Sequence, residues 1–535
     1  MELLNNLALG LDAAISPNTL LYCFIGVLLG TLIGVLPGIG ALAAISLLLP
    51  LTFYIAPEAA IVMLAGVYYG SAYGGSTAAI LLNLPGTPSS AVACLDGYPM
   101  GKQGRAGVAL FITAIASFVG AMIGLTALVL FSPAIADLGL EFSPADYFAL
   151  MLLGLVAAST ISGGSALKGL AMVMLGLLLG MVGTDVNSGV PRYYFGYFQL
   201  LDGVSLVVLA MGLFGVAEVI ASINNVPART SKERHVTMRS MLPTRDDWKR
   251  SLTPMLRGAG IGGFFGALPG TGGAIASFIS YATEKRMAKD PSRFGKGAIE
   301  GLAGPEASNN AAVQTAFVPS LTLGIPGDAV MALILGALII HGITPGPMMM
   351  TQQPGLFWGL IVSFFIGNIM LLVLNIPLVG IWVKILSIPY RMLFPAIVIF
   401  ICLGVYSANN STFDILLVVV FGFAGYLLMV LKFEPAPVLL GYVLGPMMEE
   451  NLRRALLISR GDMGVFLEKP ISATFVAMTV MMLAWSLWTA VRGRQRGRPV
   501  DRGTPQSEQP DDTHPQPHDE AATVGKNGSV TGPRP

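Results

Sequence analysis

The residues in this chain best suited to chemistry are four Pro-Gly interruptions of apolar segments. They lie at Leu36–Gly40, Leu84–Pro88, Leu268–Gly272 and Gly324–Gly327. A break of this kind inside a membrane frees backbone groups that lipid cannot satisfy, so it is tolerated only against protein or a water-filled cavity. A helix that starts there points free N–H groups and a positive dipole end into the cavity, which suits a carboxylate. Ordinary kinks are the alternative interpretation, because Gly and Pro are frequent in membrane helices.

Small hydroxyl and amide side chains cluster beside these breaks. Neutral hydrogen-bonding groups of this kind can hold an anion that must later be released. Helix packing explains single residues equally well, since Gly70–Thr77 is also typical of close helix contact. We predict that the substrate-binding groups belong to Gly38, Gly40, Thr87, Ser89, Ser90, Gly270, Thr271, Gly272, Asn309 and Asn310.

Ionisable side chains in an apolar context are costly and mark candidate cation sites. Glu306, Asp328, Asp185 and Glu218 are such acids, although an acid at a membrane interface costs little. Asp328 is favoured because it lies on a break. We predict that the ion-coupling residues are Asp328, Gln314, Ser76 and Thr77.

Neither a catalytic residue nor a metal site is predicted. The four histidines show no HExxH or clustered spacing, and the three cysteines are too far apart for a CxxC site. A serine hydrolase that pairs Ser76 with His341 is a remote alternative, because no spacing supports it. The net charge of +1 gives no reason to expect a nucleic-acid partner. We expect a protein that is not an enzyme and has no cofactor.

The elements that must position these residues are membrane helices. The chain has 535 residues, of which 54% are hydrophobic and 11% are charged, whereas soluble domains are about 25% charged. Apolar stretches of about 18 residues or more recur, each long enough for a hydrocarbon layer about 30 Å thick. They predict an all-α polytopic membrane protein with about ten to twelve membrane-embedded segments. Examples are Thr19–Val35, Ala59–Leu82, Ala106–Phe131, Ala166–Val182, Val204–Ile220, Leu356–Leu374 and Ala473–Val491.

Polar segments divide the chain into two transmembrane regions. We predict a first repeat at 1–222, a linker at 223–253, a second repeat at 254–491 and a disordered polar tail at 492–535. The linker is rich in Lys and Arg, so it should be cytoplasmic. The first apolar segment lacks the charge and cleavage pattern of a signal peptide, so we expect it to be retained.

The two transmembrane regions resemble each other. Gly34–Gly40 (GVLPGIG) matches Gly266–Gly272 (GALPGTG), and Leu84–Pro88 (LPGTP) is matched by Ile325–Asp328 (IPGD). Two matches in the same order indicate an internal duplication.

The distribution of basic residues suggests that these repeats are inverted in the membrane. The basic loop Glu284–Lys296 should be cytoplasmic like the linker, so the segment between them crosses an even number of times. Each arm around Leu268–Gly272 has only about 12 to 15 apolar residues, too few to span, which favours a re-entrant hairpin. Lys102 and Arg105 follow the first-half break, whereas His341–Pro347 has no Lys or Arg. Opposed charge patterns of this kind are typical of inverted repeats in secondary transporters.

Six motifs stand out along the chain, namely Gly34–Gly40, Tyr69–Thr77, Leu82–Ser90, Leu268–Gly273, Glu306–Asn310 and Gly324–Asp328. Together they resemble a known family, the large permease subunit of the tripartite tricarboxylate transporters. The likeness covers about residues 15 to 490.

This resemblance implies a multi-pass permease of the bacterial inner membrane. Its implied partners are a small four-helix membrane subunit and a periplasmic solute-binding protein that delivers the substrate. Its implied activity is secondary, cation-coupled uptake of citrate or another di- or tricarboxylate, with Na⁺ or H⁺ as the coupling ion. A passive anion channel, with the broken helices as a filter, is the main alternative.

Overall fold

The structure is a computed structural model. It describes residues 2–36, 40–161, 166–185, 187–222, 238–270, 272–385 and 393–495. Predicted site residues Gly38 and Thr271, the first part of the linker (223–237) and the tail beyond 495 lie outside the described residues. Internal contacts separate the chain into a unit at Met1–Ala490 and a unit at Val491–Pro535.

Helices make up most of the described residues in both halves. The first half contains α1 (Glu2–Ala14), α2 (Pro17–Val35), α3 (Gly40–Thr52), α4 (Pro57–Leu82), α5 (Ala91–Met100), α6 (Ala106–Leu140), α7 (Pro144–Ile161), α8 (Ala166–Gly180), α9 (Leu206–Ala210) and α10 (Ala217–Ser222). The second half contains α11 (Arg245–Gly266), α12 (Gly272–Met287), α13 (Glu300–Thr315), α14 (Phe317–Leu323), α15 (Ala329–Ile340), α16 (Met349–Gln352), α17 (Pro354–Asn375), α18 (Val379–Ile385), α19 (Leu393–Asn409), α20 (Thr412–Val430), α21 (Ala436–Ile458), α22 (Val465–Glu468) and α23 (Pro470–Gln495).

Short elements join some of these helices. Short 3-10 turns lie at Pro88–Ser90, Phe198–Leu200, Met238–Met241 and Pro291–Arg293, and wider π-helical turns lie at Gly101–Arg105 and Met211–Val216. Two short strands, β1 (Gly183–Thr184) and β2 (Pro191–Arg192), pair antiparallel in the loop after α8.

Several of these helices suit a membrane. Four described helical stretches are long and apolar enough to cross one, namely Pro17–Val35, Pro88–Leu140, Pro354–Asn375 and Thr412–Val430. Seven shorter apolar helices accompany them: Gly40–Thr52, Pro144–Ser159, Ala166–Gly180, Leu206–Ala221, Ala329–Ile340, Ile397–Ser407 and Pro470–Ser486. An all-α membrane protein follows from this composition, because a helix satisfies its own backbone groups in lipid.

The helices end and restart at the Pro-Gly sequences. In the first half α2 gives way to α3, and α4 ends at Leu82, after which Asn83 has a left-handed conformation (φ 59°). In the second half α11 gives way to α12, and α14 ends before Gly324, which is also left-handed (φ 73°). Each half therefore contains a helical hairpin followed by a helix that breaks and resumes.

The hairpin of each half packs on the broken helix of the same half through glycines spaced four residues apart. A Cβ atom added at Gly30 would lie 2.6 Å from the carbonyl oxygen of Val67, and one at Gly262 would lie 2.0 Å from that of Ser308. Such spacing lets the backbones approach closely, which is how membrane helices associate. Four further pairs repeat the pattern: Gly26 with Met63, Gly34 with Ser71, Gly258 with Gly304, and Gly266 with Ala312.

The broken helices of the two halves cross in opposite directions. Ser76 of α4 contacts Glu306 near the start of α13, whereas Tyr68, earlier in α4, contacts Phe317 at the start of α14. One arm of each hairpin also packs on a helix of the other half: α3 packs on α15, and α12 packs on α5.

The second hairpin is longer than its apolar residues suggest. α11 begins at Arg245, inside the stretch that we assigned to the linker, because Thr244 and Asp247 form a reciprocal capping box. α12 continues to Met287, into the predicted basic loop, and Glu284 in its last turn pairs with Arg257 of α11 at 2.7 Å. Charged turns thus extend both arms beyond the apolar part.

Candidate functional site

The two second-half breaks meet each other. The backbone N–H of Gly270, at the hairpin tip, donates to the carbonyl oxygen of Gly327 at 2.7 Å. Gly270 has φ +83°, and a Cβ atom there would lie 2.6 Å from the backbone nitrogen of Ala158 in α7. The tip therefore requires glycine for both its conformation and its close approach.

Asp328 lies where these breaks meet and caps α15. One carboxylate oxygen accepts the backbone N–H of Met331 at 2.9 Å, and the other accepts the hydroxyl of Tyr68 from α4. Gly272 is adjacent, since a Cβ atom added there would lie 3.8 Å from the Cβ of Asp328. The carboxylate is thus fixed by one group from each half.

A second acid, the buried Glu306, also joins the halves. One oxygen accepts the hydroxyl of Ser76 at 2.7 Å, and the other accepts the hydroxyl of Ser117 at 2.9 Å and the Asn310 amide at 3.3 Å. Only 3% of Glu306 is exposed. A buried carboxylate is tolerated when it is hydrogen-bonded in this way.

Amide side chains beside Glu306 have unused hydrogen-bonding capacity. Both amide atoms of Asn309 and of Gln314, together with Oδ1 of Asn310, have no hydrogen-bond partner among the described residues. These three side chains are at most 1% exposed. Buried polar groups are normally paired, so such a concentration makes this place a candidate ligand site.

The spacing of these residues directs them to two faces of α13. Glu306, Asn310 and Gln314 are four residues apart and share one face. Asn309 is directed to the hairpin, since its Oδ1 would be 2.6 Å from a Cβ atom at Gly273. The polar stripe and the hairpin start are therefore neighbours.

The first-half breaks are arranged similarly. Gly86 donates its N–H to the carbonyl oxygen of Gly75 at 3.3 Å, and a Cβ atom at Gly86 would lie 1.9 Å from the carbonyl oxygen of Gly34. Thr87 and Ser90 then close a capping box at the 3-10 turn, which contacts α12 and α13 of the other half.

The other predicted residues occupy varied positions around these breaks. The Thr87 and Ser89 hydroxyls are 3.1 Å apart and hydrogen-bonded. Thr77 is buried in α4 next to Ser76. Gly40 begins α3 with φ +67° and open space around its Cβ position. The structure thus places Ser76, Asn310 and Glu306 in one cluster and Asp328, Gly270 and Gly272 in another.

Two of the acids suggested by the sequence lie elsewhere. Asp185 is in the loop after β1 and pairs with Arg453 at 2.8 Å. The backbone N–H of Asn187, helped by Arg453, holds the pKa of Asp185 below its usual range. Glu218 is in α10, which packs chiefly on α19 and α20. Neither acid contributes to the cluster at the breaks.

The structure also identifies residues that sequence reasoning missed. Tyr68 and Ser117 lie in apolar helices with no local signal, and only their contacts with Asp328 and Glu306 mark them. The hydrolase interpretation gains no support, because Ser76 donates to Glu306 and His341 caps the far end of α15.

Buried polar groups among paired broken helices define the class of protein: a helical, multi-pass membrane transporter. The chain belongs to the TctA family of tripartite tricarboxylate transporters, whose family model matches residues 20–440. It is therefore similar to the large permease subunits of these systems.

Two curated relatives come from Agrobacterium vitis, and both are described as uncharacterized. The uncharacterized 52.8 kDa protein in the TAR-I ttuC' 3' region is 49% identical over 495 residues, covering 92% of this chain and 98% of that protein. The uncharacterized protein in the TAR-II ttuC' 3' region is 56% identical over 234 residues, covering 44% of this chain and 97% of that protein. No solved structure matches the chain.

Proposed function

We propose that this chain carries out secondary active, cation-coupled uptake of a di- or tricarboxylate across the bacterial inner membrane. A periplasmic solute-binding protein delivers the substrate, and a small four-helix membrane subunit completes the complex. Family membership supports this proposal, and the observation that carries it is the set of unpaired amides on α13 beside broken helices of both halves.

The amides suit an anion that must be released again. The Nδ2 group of Asn309 and the Nε2 group of Gln314 can donate to carboxylate oxygens without adding a fixed charge. The helix starts at Ala91, Gly272 and Ala329 add the positive ends of helix dipoles. A site of this composition binds a carboxylate more weakly than an arginine pair would, which favours turnover.

The acids supply the coupling. The side chains of Asp328 and Glu306 are carboxyl groups. When ionised, each repels a substrate carboxylate unless a cation lies between the acid and the substrate. Binding of Na⁺ or H⁺ at these acids lowers the cost of placing the anion nearby, so the two bind cooperatively. Asp328, with Gly270 and Gly272 beside it, is the favoured coupling site.

Inverted repeats would supply the movement. Two observations support a pair of re-entrant hairpins with opposite orientations. The helices α4 and α13 run in opposite directions, and the hairpin arms α3 and α12 each pack on a helix of the other half. Alternating access then follows when the unit that carries the breaks moves relative to the rest.

Uptake of radiolabelled carboxylates by vesicles that carry the full chain and its partner subunits tests the proposal. Wild-type uptake should depend on a Na⁺ or H⁺ gradient and saturate, and Asp328→Asn should abolish the dependence on the gradient. Asp137→Asn, an exposed acid on α6, is the matched control and should behave as wild type. Uptake that ignores every ion gradient would instead establish the passive channel.

A further inference from the structure

A basic pocket opens on the face of the protein that carries the central linker. Its volume is about 320 Å³, and three of its lining residues are cationic. We propose that this pocket binds a phosphate-bearing anion, independently of the transport site. The lining residues are Gln103, Arg105, Ser292, Arg293, Lys296 and Gly297.

The positive charge of the pocket is only partly neutralised. The charge of Asp290, an exposed acid of the same loop, acts on Lys296, but no acid among the described residues lies within 4 Å of the Lys296 ammonium group. Arg293 lies 3.7 Å from Glu300, but Glu300 is already engaged by Arg250 through two bonds of 2.8 Å. Arginine and lysine side chains left in this state are the donors that phosphate oxygens prefer.

The third cation is oriented by an acid outside the pocket. Arg105 pairs with Asp247 at 2.5 Å, and 37% of its side chain stays exposed. Gln103 donates to the carbonyl oxygen of Lys296 at 2.8 Å, which ties the turn after α5 to the loop before α13. Opposite walls of the pocket are thus held together.

The loop that supplies Arg293 and Lys296 is held in place by a buried acid. One oxygen of the buried Asp96 accepts the backbone N–H groups of Gly295, Gly297 and Ala298 at 2.8 to 2.9 Å. Its other oxygen accepts the hydroxyl of Tyr281 at 3.0 Å. Because the loop is preformed, a ligand would lose little free energy in ordering it.

The surroundings place the pocket at the level of lipid headgroups. Trp248, Leu252 and Leu256 follow one face of α11 and are 38%, 52% and 54% exposed. An apolar stripe beside clustered basic residues is typical of a helix at the membrane interface. Basic pockets on the cytoplasmic side are known to accept anionic headgroups. A headgroup phosphate and free inorganic phosphate share the required chemistry.

Two binding experiments on the full chain in phosphatidylcholine nanodiscs distinguish these sources. In the first, inorganic phosphate is titrated and its binding is measured by calorimetry. In the second, phosphatidylglycerol is added to the nanodiscs and the lipids retained are counted by native mass spectrometry. The test variant is Arg293→Gln with Lys296→Gln. The control is Lys285→Gln with Lys289→Gln, which removes equal charge from exposed positions outside the pocket.

The wild-type protein should bind at least one of the two phosphate ligands. The pocket variant should bind it about tenfold more weakly, the effect of losing about 1.4 kcal/mol, and should keep the wild-type Tm without ligand. The control should bind within about twofold of wild type, because bulk charge contributes less than direct contact. Equal losses in both variants, or no binding of either phosphate ligand by the wild type, would overturn the proposal.

Discussion

The hydroxyl of Ser76 donates a 2.7 Å hydrogen bond to the carboxylate of Glu306, joining the broken helix of the first half to that of the second. Both residues are buried, and Ser117 and Asn310 complete the shell of donors around the acid. The bond ties the last part of α4 to the start of α13, so it holds together the unit that carries the breaks of both halves. It is therefore a sensitive place to test coupling.

Replacing Glu306 with Gln should lower gradient-driven uptake at least tenfold while leaving the protein folded. Gln matches the acid in size, but its amide nitrogen cannot accept the hydrogen bond of whichever serine hydroxyl, Ser76 or Ser117, it faces. Ser76→Ala should lower uptake less, since two donors remain. The measurement is initial-rate uptake in vesicles normalised to folded protein.

The matched control for these variants is Ser363→Ala. The Ser363 hydroxyl is equally buried but donates only within its own helix, to Leu360 at 2.7 Å. It should leave uptake near the wild-type rate. An equal loss in Ser363→Ala would show that the effect is general destabilisation.

The hydrogen bond between Tyr68 and Asp328 should be visible in a double-mutant cycle. The cycle is read by thermal unfolding in detergent: Tyr68→Phe should lower Tm, because a hydrogen bond to a charged group contributes roughly 1.5 to 3 kcal/mol to stability. In the Asp328→Asn background, Tyr68→Phe should have no further effect, since both changes remove the same bond. Tyr147→Phe, which loses only a bond to the Gly139 carbonyl, is the control. Additive effects of the two site variants would contradict the coupling.

Sequence reasoning located the breaks but not the pairs of residues across them. Pro and Gly have positional meaning in a membrane helix, so Leu268–Gly272 and Gly324–Gly327 could be found from local pattern alone. The pairing of Asp328 with Tyr68 arises because α4 crosses the other half. The two residues are far apart in the sequence, so their types alone do not predict that they are in contact. The N-terminal extension of α11 was missed because a polar segment rich in Arg is as compatible with a loop as with an interfacial helix.

Close packing of the hairpin on α13 should make Gly262 intolerant of alanine. A Cβ atom there would lie 2.0 Å from the carbonyl oxygen of Ser308, so the helices must separate. Overpacking of this kind costs about 1 to 3 kcal/mol, and we expect a lower Tm in detergent. Gly260, on the same helix, has nothing within 4 Å of its Cβ position. Gly260→Ala should leave Tm equal or higher, because alanine favours helix. Equal losses in both variants would argue against the observed packing.

The ion pair between Arg105 and Asp247 should resist acid. Burial alone would raise the pKa of Asp247, but the Thr244 N–H and the Arg105 guanidinium together hold it below the usual range. A carboxyl whose folded pKa is depressed stabilises the protein above its unfolded pKa, about 3.9, and loses that contribution as pH falls through the lower folded value. Asp247→Asn should therefore lower Tm by about the same amount at pH 7.5 and at pH 6, and the difference should shrink as pH falls below about 3.9. The comparison is made by thermal unfolding in detergent, with exposed Asp137→Asn as the control. A Tm difference that stayed the same from pH 7.5 down to about pH 3 would show that the pKa of Asp247 is an ordinary one and that the pair does not hold the start of α11 as the structure indicates.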